Sequence, residues 1–186
     1  MKTLNLLTLK QPLNIASPNT AQLLLTSPAT SVMHDFEVSA PLLIEGRTLV
    51  KDAALIMQRA HVHFKLVLDD ADLLIGTLNY GQASLQNQMI RKAEGYDVDS
   101  LAVVDVMTPI SAQSALDYDQ IKQSTIGHVL NTLATDGLQH CLVIDKHTNT
   151  IRGVINAENL ARKINAPIQL RRKPNFGELF KDLHVH

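Results

Sequence analysis

The chain has 186 residues, 45% of them hydrophobic and 19% charged, which is the balance of a folded globular protein rather than a disordered or membrane-spanning one. Seventeen basic and eighteen acidic residues leave a formal charge of -1, so net charge makes no case for a nucleic-acid or membrane-surface partner. The opening MKTLNLLTLK is interrupted by Asn5, Thr8 and Lys10 and does not read as a secretory signal, and no stretch approaches the roughly 20 apolar residues that span a bilayer. Cys141 is the single cysteine, so no internal disulfide forms; its apolar neighbours predict a buried thiol in a reducing compartment, the cytoplasm.

Residues 1–30, with Pro12, Pro18 and Pro28 among several Ser, Thr and Asn, predict an extended lead-in that packs through residues 23–25. A Val-Met pair follows at Val32 and Met33, then a short apolar stretch at 42–44. Val50, Ala53, Ala54 and Met57 recur at i, i+3, i+4 and i+7, the apolar stripe of a helix, with Thr48 placed to cap its first turn. Two apolar runs at 65–69 and 73–78, separated by a polar turn, predict a strand hairpin covered on both faces. A second helix is predicted from Gln82 to about Ala93.

The series then starts again. A Val-Met pair stands at Val106 and Met107, a strand is predicted at 115–118, and Ile126, Val129, Leu130 and Leu133 form a second helical stripe behind a capping Thr125. A hairpin at 141–145 and 151–155 and a helix from Ala157 to about Ile164 complete the copy. Residues 53–69 (AALIMQRAHVHFKLVLD) lie over 129–145 (VLNTLATDGLQHCLVID) at a constant shift of 76 without a gap. The unit reads β-α-β-β-α twice, an α+β fold, with repeats at 31–95 and 96–165, the lead-in at 1–30 and a tail at 166–186. A three-stranded sheet with two helices is a small core, so the copies are expected to bury their open faces against each other as a pseudo-twofold pair. The tail, from Pro167 onward, carries the basic run Arg171, Arg172 and Lys173 before a short amphipathic stretch at 176–183.

Both copies open alike, Ser-Val-Met-His-Asp at 31–35 and Asp-Val-Met-Thr-Pro at 105–109, and both end their third strand on a glycine frame. That frame is Gly-Thr-Leu-Asn-Tyr-Gly-Gln at 76–82 and Gly-Val-Ile-Asn-Ala-Glu-Asn at 153–159. Together these features resemble a tandem pair of cystathionine-β-synthase-type (CBS) domains, the Bateman module, over about residues 31–163. The resemblance implies a stand-alone regulatory module, not an enzyme. Its cleft between repeats would take AMP, ADP, ATP or S-adenosylmethionine as a regulatory ligand, with no required cofactor. It also implies a disc-like homodimer acting on a separate protein target.

In the family pattern a Thr or Ser in the glycine frame helps hold phosphate and an Asp three residues later accepts from both ribose hydroxyls. Asn79 and Asn156 stand at the first position here, and Gln82 and Asn159 at the second. An amide offers one acceptor oxygen and two donor hydrogens where a carboxylate only accepts, so the ribose contact changes character. His63, Gln139 and His140 fall just before the second strand, where some members face phosphate, and Thr108 in the second opening completes the candidate ligand contacts. The competing reading is a ligand-free dimerisation or protein-interaction scaffold, favoured by the missing Asp in both copies.

Each candidate also has a plainer reading. Asn156 and Asn159 bracket a strand-to-helix junction that could receive an anion, but Asn156 equally suits a helix cap, and Asn79 with Gln82 reads first as structural. The pairs His61/His63 and His184/His186 have the spacing of metal ligands on a strand, yet no cysteine or carboxylate cluster accompanies them, so no metal is expected. Asp69, Asp70 and Asp72 read as a solvated hairpin turn, and the basic run in the tail as solvated surface. No nucleophile, base and orienter set is present, and no catalytic residue is assigned.

Overall fold

The structure is a computed structural model describing residues 23–134, 138–164 and 175–184. Pro12, Pro18, Pro167, the basic run Arg171, Arg172 and Lys173, and His186 lie outside the described residues.

The first sheet contains β2 (Leu43–Glu45), β3 (Phe64–Leu68), β4 (Leu74–Asn79) and β5 (Thr108–Pro109) in that order. The second contains β1 (Met33–Asp35), β8 (Thr150–Asn156), β7 (His140–Asp145) and β6 (Ala115–Asp117). Helix α1 (Val50–Arg59) connects the parallel pair β2 and β3, and α6 (Ile126–Leu133), preceded by the short α5 (Tyr118–Lys122), connects the parallel pair β6 and β7. Such a crossover is what a parallel connection requires. The hairpins β3–β4 and β7–β8 are antiparallel, as the two apolar runs in each copy predict.

Each sheet has four strands rather than the three expected. The extra strand comes from the other repeat: β1, which carries the first Val-Met opening, pairs with β8, and β5, which carries the second, pairs with β4. Glycine makes room for the exchange. A Cβ on Gly153 would lie 2.4 Å from the His34 carbonyl oxygen, and one on Gly76 would lie 2.5 Å from that of Thr108. The glycines of the repeated frame are thus the points where the exchanged strands press closest.

Under the first sheet, Val50, Ala53 and Met57 of α1 pack with Val67, Leu78, Ala83, Val103 and Val106, while Ala54 is only partly buried. Under the second, Ile126, Val129, Leu130 and Leu133 are all buried, as the stripe predicts. This second core is extended by α8 (Phe176–His184), which seats Phe176 and Leu179 in it, and by the lead-in residues Leu23 and Leu25. Leu24 between them faces out at 61% exposure. Leu66, Leu142 and Val154 form a third cluster with Phe36, Phe64, Leu74 and Ile151, drawn from both sheets, which joins the two repeats.

Three local expectations change. Thr125 caps α6, its Oγ1 accepting from the His128 amide at 3.4 Å, but Thr48 does not cap α1. Leu49 holds the N-cap position there, and the Thr48 carbonyl instead accepts from the amide of Val103, the first residue of α4 (Val103–Val106). The helix expected from Gln82 is broken into α2 (Tyr80–Ala83) and α3 (Leu85–Ala93), because Ser84 is extended and its Oγ accepts from the Asn87 amide, starting a new helix. His61 sits in a turn at φ 52°, ahead of β3, so His61 and His63 do not share a strand face. In the second copy, α7 (Ala157–Lys163) follows β8 without a break.

Candidate functional site

The exchange creates two junctions related by the repeat. At the first, β4 meets β5. Thr77 is fully buried, and its Oγ1 accepts from Gln113 Nε2 at 2.8 Å, while the same Gln113 amide donates to the Thr108 carbonyl at 3.2 Å. Gln82 reaches in from α2: its Oε1 accepts from the Asn79 amide at 2.7 Å, and its Nε2 donates to the Val106 carbonyl and to Thr108 Oγ1, both at 3.0 Å. Asn79 stands at the N-cap of α2, so the helix start, the exchanged strand and the glycine frame are tied by side-chain amides.

At the second junction β8 meets β1. Asn156 Oδ1 accepts from the amides of Glu158 at 2.9 Å and Asn159 at 3.2 Å, so this side chain caps the seven-residue α7 and takes up the donors that an anion would need. The Asn159 side-chain oxygen accepts from the Arg162 guanidinium, which leaves its amide hydrogens as the groups it can offer. Below it, Asp35 and Arg152 form a bidentate pair at 2.8 and 2.9 Å; Arg152 also reaches Glu37 at 2.6 Å and lies 4.6 Å from the centre of the Tyr118 ring. The Arg152 guanidinium holds the Asp35 carboxyl below the usual carboxylate range and is itself pushed up by that partner.

Between the junctions His140 and Phe64, which occupy equivalent places in β7 and β3, meet with ring centres 4.3 Å apart. His140 Nε2 lies 3.4 Å from Thr77 Oγ1, whereas its Nδ1 is buried without a hydrogen-bond partner. Burial lowers the His140 pKa to about 4, so the ring is neutral at physiological pH. A phosphate contact through a protonated His140 is therefore not available in this state; the imidazole acts as a polar but uncharged group. The other residues placed by sequence before the second strand lie apart: Gln139 and His63 are exposed, their carbonyls accepting from Ala157 and Tyr80, and the His63 ring meets the Tyr80 ring edge-on at 6.0 Å.

Two polar residues inside the fold escaped the sequence reading. Lys65 is 8% exposed in the first sheet, and its ammonium donates to the Leu43 carbonyl at 2.9 Å; burial lowers its pKa. The signal was available, since Lys65 interrupts an apolar run exactly where the aligned copy has Cys141. Gln113 gave no signal, because its side-chain partner Thr77 comes from β4, far off in the sequence. Among the described residues no group of His, Cys, Asp and Glu could hold a metal ion. A cleft of about 290 Å³ is lined by Arg91, Tyr96, Asp97, Ser100, Leu101 and Asp105.

No protein-family model matches the chain, and no curated protein matches it. Solved structures do. An uncharacterised conserved protein from Pyrococcus horikoshii superposes with a TM-score of 0.56 at 18% identity, covering 79% of this chain and 98% of its own. CBSX2 in complex with AMP gives 0.52 at 18% identity, covering 73% and 94%, and the CBS domain of a bacterial CNNM/CorC family Mg2+ transporter gives 0.53 at 14%, covering 78% and 79%. The chain has the tandem CBS-pair fold. In a CBS pair built this way each repeat lends its opening strand to the other, so the glycine frames and the Val-Met openings that carry the resemblance are in contact across the pair.

Proposed function

We propose that this CBS pair is a regulatory module that binds an adenosine-type nucleotide in the cleft between its repeats and passes the occupancy to a separate protein. The observation that carries the reading is two buried ring nitrogens without hydrogen-bond partners, His34 Nε2 and His140 Nδ1. Buried polar atoms without partners are uncommon, and a bound molecule is one way to complete them. The CBSX2 complex with AMP has the same fold, which supports the choice of ligand class. Asn159 would donate its amide hydrogens to ligand oxygens, reversing the polarity of the family's acidic contact. No catalysis is assigned to it. Among the described residues no helix is long and apolar enough to cross a membrane, in keeping with the cytoplasmic placement we favour.

The test is calorimetric titration with AMP, ADP, ATP and S-adenosylmethionine. Saturable binding of one of them, weakened about tenfold by Asn159→Ala with the melting temperature kept, is the expected result. Unchanged affinity would remove Asn159 from the site.

A second reading, a ligand-free dimerisation or interaction scaffold, is favoured by the outer face of the first repeat. There Leu55, Ile56, Leu85, Met89 and Ile90 of α1 and α3 are 43–72% exposed, whereas the second repeat carries polar Asn131, Thr132 and Arg162 at the positions aligned with Leu55, Ile56 and Leu85. The readings are compatible if the pair dimerises through this face and binds nucleotide in the cleft.

A further inference from the structure

The two junctions are related by the repeat but are not chemically equal. At the β4–β5 junction the side chains of Gln82, Gln113, Thr77 and Thr108 are engaged in the five bonds already described, two to one another and three to backbone groups, all at 3.2 Å or less. Both hydrogens of each side-chain amide are spoken for, so a ligand entering there would have to break more hydrogen bonds than it could readily replace.

At the β1–β8 junction the residues aligned with Thr77, Gln82 and Thr108 all differ. Val154 replaces Thr77 and has no hydroxyl; Asn159 replaces Gln82 and turns to Arg162; His34 replaces Thr108. His34 pairs with Val154 in the ladder, on the face where Val154 joins Phe36 and Phe64, and its Nε2 is buried with no hydrogen-bond partner. The His34 ring lies 5.5 Å from that of Phe36. Charge differs too. Arg162 and Lys163 stand where the first copy has Leu85 and Gln86, and the Lys163 ammonium reaches the Ser31 carbonyl at 2.6 Å, at the root of β1.

We propose that the pair takes one ligand per chain, at the β1–β8 junction, with His34 Nε2 meeting its base and Arg162 its anionic end, while the β4–β5 junction is sealed by its own side chains. This rests on the nucleotide reading above and adds to it the stoichiometry and two contact residues. A neutral imidazole can donate or accept at Nε2 according to tautomer, which suits the mixed edge of a purine, and the Phe36 and Phe64 rings give the base an apolar wall.

Calorimetry of the full chain with AMP tests this. One site per chain is expected. His34→Phe, which keeps the ring and removes Nε2, is expected to weaken AMP at least tenfold, and Arg162→Gln to weaken it and reduce its salt dependence. Gly81→Ala, in α2 with nothing within 4 Å of the added methyl, is expected to bind as the native protein does. Histidine side-chain NMR of the native protein gives a readout independent of any variant's folding, since AMP should shift the His34 signals. Two sites per chain, or full affinity in His34→Phe with unmoved His34 signals, would overturn the inference and leave the nucleotide reading standing. If the native protein binds no AMP at millimolar concentration while keeping its fold, the nucleotide reading fails and this inference with it.

Discussion

His140 ties stability to pH. The unfolded chain protonates this side chain near its ordinary value of 6.5, whereas the folded protein keeps it neutral down to about 4. Between those values the unfolded state binds the extra proton, so the folded state loses stability as pH falls from 6.5 to 4, by up to about 3 kcal/mol, and gains nothing further above 6.5. Urea unfolding at pH 7.0 and 4.5 should therefore show a smaller acid loss in His140→Phe than in the native protein; equal losses would mean that His140 is not buried as described. The frame glycines give a second test. Gly153→Ala forces a methyl against the His34 carbonyl, a backbone atom that cannot step aside, and should cost about 1–3 kcal/mol in the same assay. Gly81, which has nothing within 4 Å of an added Cβ, is the control and should tolerate alanine at a small cost.

At the level of elements, the exchanged strands are short, and they are held differently. β1 has the Asp35–Arg152 pair as a latch, whereas β5 is held by two ladder positions and the Gln82 and Gln113 amides. Because its folded pKa is lowered, Asp35 contributes stability that is complete above the ordinary carboxylate value and is lost as pH falls through the lowered one. Asp35→Asn should lower the melting temperature at neutral pH, and the difference from the native protein should shrink in strong acid; a constant difference would show that the pair is not the latch. The helical stripes, both hairpins and the repeat were legible in sequence because each is a short-range periodicity written by burial on one face. The strand exchange was not, since β1 and β8 lie far apart in the chain and the only trace of their contact is a glycine in a buried strand. The same distance hid the proposed contact: Asn156 and Asn159 stood out through a local motif, while His34 becomes visible only when β1 is seen lying on β8. Ser84 broke the predicted helix because a local side-chain cap outweighed the apolar pattern.

Across the whole molecule the two halves are unequally finished. The second repeat presents polar Asn131, Thr132 and Arg162 where the first presents Leu55, Ile56 and Leu85, and the first shows Leu85 and Met89 at 72% and 71% exposure. If that face is the homodimer contact, sedimentation should give a dimer that Leu85→Glu with Met89→Lys converts to monomer without unfolding; a native monomer at high concentration would exclude it. In the proposed reading, a ligand held between the repeats that favours one relative tilt of the sheets would shift that equilibrium and so reach a partner. Whether the cleft is occupied is the central claim, and thermal unfolding of the native protein across a nucleotide series tests it most directly. At a hundredfold excess over the dissociation constant, AMP or a related adenosine compound should stabilise the fold by about 2.7 kcal/mol. For a chain of this size that raises the melting temperature by roughly 5–10 °C, and no shift with any of them at millimolar concentration would contradict the account.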